Sequence, residues 1–407
     1  MSRFTSHFKM NENDAVEYVR EKLPDMFAGD ELSCEEIGDG NINYVFKIKE
    51  VHGDRSVIVK HADIAARLTG QHVSTDRNRI EANILTLEDT LAPGFVPKLY
   101  FYDPVMCCMV MEDVSDHQNM RYAMMEHKTF STFAGDITDF MAKTLVNTSD
   151  NVISPAKKKK LVSEYTNPDL CDVTETLVYT FPYFEDGAGN SVYPQSRELV
   201  RSEIYEDKKL HLEAAKLKEE FKSNAQALIH GDLHSGSIFV KEGSTKVLDP
   251  EFAFYGPAGY DVGNVLAHLI FAWVNARYTM PEGEDRVHFM QWCEGALRDT
   301  VDLFCKKAAA EMKSKATDRM AQTEGFAEWY VSCIMTSAAG TAGLELIRRI
   351  VGVAKVRDIT VIEEPGARAA AERLCIMTAK GLIMNRARIV YGDDWLNVLK
   401  AAAKDQA

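Results

Sequence analysis

Leu228-Ile229-His230-Gly231-Asp232-Leu233-His234-Ser235-Gly236-Ser237-Ile238-Phe239-Val240 is an apolar run, a polar turn and a second apolar run. The pattern predicts two strands joined by a loop that begins at Asp232. An aspartate so placed can accept a proton from a substrate hydroxyl and orient it as a nucleophile. A plain hairpin whose aspartate only caps the turn would read the same. The stretch that separates the two lies downstream. Lys246-Val247-Leu248-Asp249-Pro250-Glu251 puts two carboxylates at a strand end, 17 residues beyond Asp232. Carboxylate oxygens suit Mg2+, a hard cation that takes phosphate oxygens as further ligands. In an extended segment Asp249 and Glu251 would point to one side, and Pro250 biases Asp249 towards that conformation.

Upstream, Ser56-Val57-Ile58-Val59-Lys60 reads as a strand closed by a lysine. Phosphoryl transfer from ATP uses such a lysine on the α- and β-phosphates, paired with a helix glutamate. Glu81 lies 21 residues on, inside a helix predicted over 76–90, with Glu88 as the alternative partner. The turn Gly38-Asp39-Gly40-Asn41-Ile42-Asn43 is not a full G-x-G-x-x-G. Its flexible backbone at Gly38, Gly40 and Asn41 could still lie over phosphates. Met109-Val110-Met111-Glu112-Asp113-Val114 would join two lobes, with the Glu112 carbonyl and Val114 amide facing adenine.

These pieces predict an α+β chain of two lobes in the manner of a protein kinase. A small β-rich N-terminal lobe, residues 1–113, would bind the nucleotide. A large, mainly helical C-terminal lobe, residues 114–407, would carry the catalytic loop, the metal carboxylates and the acceptor. Helix is expected over 12–23, strands at 44–48, 56–60, 98–102 and 107–111, and a further β segment over 227–253. Lys157-Lys158-Lys159-Lys160 reads as a solvated helix start. Asp261, in Gly256-Pro257-Ala258-Gly259-Tyr260-Asp261-Val262-Gly263, either caps a helix or braces the 230–237 loop.

The 407 residues carry a formal charge of -14, which disfavours non-specific binding to nucleic acid or an anionic membrane. The eight cysteines form no C-x-x-C pair and suit a reduced cytosol. The start lacks the apolar core of a signal peptide, and apolar stretches such as Val265–Val274 are too short to span a bilayer. The expectation is a cytoplasmic protein.

The loop H-G-D-L-H-S-G-S at 230–237, the D-P-E triplet at 249–251 and the D-G-N turn at 39–41 resemble the kinase-like small-molecule phosphotransferases. That group includes choline kinases, aminoglycoside phosphotransferases and methylthioribose kinases. The resemblance covers nearly the whole chain and is strongest to the methylthioribose kinases. The others usually carry Asn where this sequence has Ser237, and lack a glutamate like Glu251. The resemblance implies ATP, Mg2+ and the acceptor 5-methylthioribose, with 5-methylthioribose 1-phosphate as product in methionine salvage. It implies Asp232 as catalytic residue, Asp249 and Glu251 as metal ligands, and a homodimer. Two arginines of the C-terminal lobe would hold the sugar, here Arg349 and Arg368, with Arg348 as a neighbour one residue out of register. Asn43 joins them as a candidate sugar contact.

Another acceptor, such as choline, an aminoglycoside, homoserine or a different sugar, is the main alternative. A pseudokinase that only binds nucleotide is disfavoured by Lys60, Asp232 and Asp249 occurring together. A protein kinase is disfavoured because no A-P-E motif follows residue 251.

Overall fold

Residues 2–27, 29–38, 43–63 and 74–404 are described by the computed structural model of the chain. The chain forms two compact units. One comprises Met1–His117 with Lys246–Phe252; the other comprises Gln118–Thr245 with Ala253–Ala407.

In the first unit, strands β1 (Leu32–Glu36), β2 (Tyr44–Glu50), β3 (Ser56–His61), β4 (Leu99–Asp103) and β5 (Cys108–Glu112) form an antiparallel sheet. Their order is β1-β2-β3-β5-β4. The central strand β3 is a near-continuous apolar run. Its Val57 and Val59 enter a cluster with Phe46, Ile48, Met106, Cys108 and Val110. The two-residue period turns Ile58 and Lys60 to the opposite face. Helix Glu12–Lys22 adds Ala15, Tyr18 and Val19 to that cluster. It starts at Asn11, whose side chain accepts the Asp14 N–H at 3.1 Å while Asp14 accepts the Asn11 N–H at 2.9 Å. Such a reciprocal cap is worth about 1 kcal/mol. Phe46→Ala would open a cavity in this core at about 3–5 kcal/mol.

Helix Asp76–Leu91 buries Arg77, Ile80, Glu81, Ile84, Leu85 and Glu88, three or four residues apart on one face. The unit extends past residue 113 to His117 and takes in the later segment. There the Val247 N–H donates to the Phe95 carbonyl at 2.7 Å, and Lys246 Nζ lies 3.3 Å from the Val96 carbonyl. Asp249 and Glu251 therefore belong with the sheet, not with the helical part of the chain. Nor is their segment extended. Asp249 has φ 63° and Pro250–Phe252 coils into a tight 3₁₀ turn. Asp249 adopts this left-handed conformation despite the bias that Pro250 exerts.

In the second unit, Ala227–Ile229 pairs antiparallel with Phe254–Gly256, while Ile238–Lys241 pairs with Gln118–Asn119. The segments flanking 230–237 pair elsewhere and not with each other, which removes the hairpin reading of that loop. Helices Gly259–Thr279 and Phe326–Val351 cross closely. A Cβ on Gly263 would lie 2.5 Å from the Ala338 carbonyl oxygen, so only glycine fits there. Phe326–Val351 is long and apolar enough to cross a bilayer, unlike the stretches noted from sequence. Yet 83% of its apolar window is buried inside the chain, the pattern of a core helix. Lys158 departs from the solvated reading of its lysine run. It is buried, with Nζ donating to Asp150 and the Ala225 carbonyl, each at 2.7 Å. No disulfide joins the eight cysteines.

Candidate functional site

Two groups of polar side chains stand out, one in each unit. In the first, Lys60 Nζ donates to Glu81 Oε1 and to Asp249 Oδ1, each at 2.7 Å. Glu81 reaches Lys60 because β3 turns the lysine off the apolar face and the helix turns Glu81 inward. Glu88, two turns further along the same helix face, is not its partner. Burial works against the Lys60 charge, but Asp249, Glu81 and Glu251 outweigh it and hold its pKa above the ordinary lysine value. Burial pushes Glu81 up, to about 8, against the pull of Lys60.

Asn43 is buried and bridges two neighbours. Its Nδ2 donates to Glu251 Oε2 at 2.8 Å and its Oδ1 accepts from Arg77 Nε at 3.1 Å. Both ends of the carboxamide are thus engaged in the first unit. Arg77 was not foreseen from sequence, although it lies one turn before Glu81 on the same helix face. Three carboxylates, Glu81, Asp249 and Glu251, face two cations, Lys60 and Arg77. The Asp249 side chain is 46% exposed. Among the described residues no cluster of three or more His, Cys, Asp or Glu could hold a metal by itself. Two hard carboxylates fit Mg2+ in the way that leaves further ligand positions to phosphate oxygens.

Val114 is buried; its carbonyl accepts the His117 N–H at 2.9 Å, and among the described residues nothing accepts its own N–H. Glu112 ends β5, with its carboxylate on the Lys98 N–H at 3.0 Å. Gly38 lies exposed just after β1. Gly40 and Asn41 fall outside the described residues.

In the second unit, the loop around Asp232 is tied down from below. Asp261 accepts the His230 N–H at 2.7 Å and the Gly231 N–H at 3.0 Å. This is the bracing role, not a helix cap. Gly231 has φ 80°, and the Asp232 N–H donates to His230 Nδ1 at 3.2 Å. His234 Nδ1 accepts the Gly236 N–H at 3.0 Å, which places its proton on Nε2, 3.4 Å from Asp232 Oδ2. Burial, aided by the charges of Arg349 and Arg121, pushes the His234 pKa well below the ordinary histidine value, so the ring is neutral.

Behind the loop runs a buried chain of contacts. Ser235 Oγ lies 2.8 Å from His268 Nδ1, and His268 Nε2 lies 3.1 Å from Glu345 Oε1. Glu345 accepts from Arg349 Nε at 2.7 Å and from Arg348 Nε. Burial would raise Glu345, but Arg348 and Arg349 outweigh it and hold the carboxylate well below its usual range. Burial pushes His268 down to about 3. Arg348 Nη2 comes within 3.9 Å of Asp232 Oδ1, whereas Arg349 turns to Glu345 and the Ala354 carbonyl. Of the twin arginines, then, Arg348 is the one beside Asp232. Arg368 donates to Glu372 at 2.7 Å and stacks over Tyr193 at 5.1 Å. Glu345 and His268 were missed in the sequence. The i, i+3, i+4 spacing of Glu345, Arg348 and Arg349 could have found the first. His268 is 77 residues away, and no local pattern reveals it.

The phosphotransferase enzyme family matches residues 33–286. The chain is 37% identical to a methylthioribose kinase of Geobacillus thermodenitrificans, over 90% of each chain. It is 38% identical to a methylthioribose kinase of Erwinia tasmaniensis, over 91% of this chain and 93% of that one. A solved glucosamine kinase superposes with a TM-score of 0.51 at 12% identity, over 93% of this chain and 86% of that one, a likeness of fold. The chain belongs to the phosphotransferase enzyme family and, within it, to the methylthioribose kinases.

Proposed function

We propose that the protein transfers the γ-phosphate of ATP to the 1-hydroxyl of 5-methylthioribose, giving 5-methylthioribose 1-phosphate in methionine salvage. The observation that carries this reading is the kinship with methylthioribose kinases over nine-tenths of the chain. The two side-chain groups have the chemistry such a reaction needs. Lys60, braced by Glu81, is suited to the α- and β-phosphates. Asp249 and Glu251 would hold Mg2+, which would neutralise charge on the phosphates. The Val114 N–H is available to adenine. Asp232 orients the acceptor hydroxyl and takes its proton, and Arg348 offsets charge beside it. A cytoplasmic location, expected from the sequence, and a dimeric state, implied by the resemblance, belong to the same proposal. ADP release measured with methylthioribose, ribose, choline and kanamycin tests the choice of acceptor. Methylthioribose should give the highest kcat/KM, and preference for choline or kanamycin would overturn the reading.

A further inference from the structure

Asp358 is fully buried, and neither carboxylate oxygen meets a donor from another of the described residues. Its backbone is fixed, since its carbonyl accepts from Asn275 Nδ2 at 2.6 Å. Arg121 Nε is likewise buried and without a partner among the described residues. Arg121 is anchored to the Asp232 loop. Its N–H donates to the Ser235 carbonyl at 3.1 Å, and Nη2 lies 3.4 Å from His234 Nδ1. Arg357 stacks over the Tyr122 ring at 5.7 Å, so the residues next to Arg121 and Asp358 face each other. Arg121 and Arg349 are the cations that act on the Asp358 carboxylate; burial outweighs them and pushes it up to about 6.

A buried carboxylate with no hydrogen-bond donor is unfavourable unless something outside the chain supplies one. An alcohol hydroxyl both donates and accepts. A vicinal diol can therefore donate to the two Asp358 oxygens and accept from Arg121 Nε at once. A cationic acceptor would meet Arg121 and Arg349, and an anionic one would meet Asp358. A neutral polyol satisfies all of these groups.

We propose that Asp358 and Arg121 form the hydroxyl-reading part of the acceptor site, with the carboxylate accepting hydrogen bonds from the vicinal 2- and 3-hydroxyls of a neutral sugar. This rests on the reading of the acceptor as methylthioribose. A site built to bond a hydroxyl rejects the analogue lacking it, because its own buried groups are left unpaired.

The test is calorimetric binding of methylthioribose and its 2-deoxy and 3-deoxy analogues to the full chain, with a non-hydrolysable ATP analogue present. For the wild type, at least one deoxy analogue should bind tenfold or more weakly. Asp358→Asn should bind methylthioribose at least tenfold more weakly while keeping nucleotide affinity. Its melting temperature without sugar should not fall, because an unpaired buried charge has been removed. Wild-type affinity in Asp358→Asn, or equal wild-type binding of all three sugars, would overturn the site. The analogue series alone decides the matter if the variant does not fold. Failure of the wild type to bind methylthioribose at all would overturn the functional reading, and this site with it.

Discussion

Lys60 Nζ donates to Glu81 Oε1 across 2.7 Å, and the two side chains are shielded from water. Removing one partner of a buried pair leaves the other charge stranded, at about 3–5 kcal/mol, whereas replacing both by apolar groups is often near neutral. Lys60→Met should therefore lose about that much in urea unfolding, and Lys60→Met with Glu81→Leu should lose much less. Both should bind ATP poorly. A double variant as unstable as the two single losses added together would show that the pair is not the unit described.

Asp261 holds two loop N–H groups with one carboxylate. Asp261→Asn keeps the shape but turns an amide N–H towards one of those donors. A buried donor left unsatisfied is unfavourable by about 1–3 kcal/mol. Urea unfolding should show that loss, and kcat should fall with it because Asp232 is two residues from His230. Unchanged stability and kcat would mean that the brace does not position the loop.

The neutrality of His268 gives a pH dependence. Its folded pKa, about 3, lies below the ordinary histidine value of about 6.5. Below pH 6.5 the unfolded chain takes up a proton that the folded ring refuses. The stability His268 contributes is present above pH 6.5 and is lost as the pH falls towards 3, at about 1.4 kcal/mol per unit. His268→Gln lacks this loss. The stability advantage of the wild type over the variant should thus shrink by about that amount per unit between pH 6.5 and 4.5. A constant difference would contradict a neutral, buried His268.

Glu345 carries the counter-charge for two buried guanidiniums. Glu345→Gln should lose about 3–5 kcal/mol of stability in urea unfolding, by the same stranded-charge argument. Arg348→Ala should lower kcat for methylthioribose about tenfold or more, and more than Arg349→Ala, because Arg348 is the one within 3.9 Å of Asp232. The reverse order in steady-state kinetics would move the Asp232 contact to Arg349.

Much of this was legible in the chain. The β3 run ending in Lys60, the inward face of helix Asp76–Leu91 and the Asp232 loop follow from periods of 2 and 3.6 and from turn residues. Asp261 was legible because a carboxylate just after a Gly-Pro turn has few roles. Strand β1 was not, because Leu32-Ser33-Cys34-Glu35-Glu36 is a half-buried edge with little alternation. The geometry of Asp249 was misread because Pro250 biases it locally towards extended backbone, whereas in the fold its carboxylate pairs with Lys60 at φ 63°. Lys158 looked solvated because nothing near it in sequence announces the Ala225 and Gln226 carbonyls that bind it. Asp358 and Arg121 gave no pattern at all, since they come together only through the fold.

The proposed reaction is phosphoryl transfer to methylthioribose with Asp232 as proton acceptor. Phosphorus NMR of methylthioribose, ATP and Mg2+ with the wild type and with Asp232→Asn measures this directly. The wild type should convert the γ-phosphate into a sugar phosphate whose signal couples to the anomeric proton. Asp232→Asn should slow that conversion roughly 10²- to 10⁴-fold while retaining ATP affinity. Product phosphorylated at another hydroxyl, inorganic phosphate as the main product, or an Asp232→Asn variant with near wild-type turnover would contradict it.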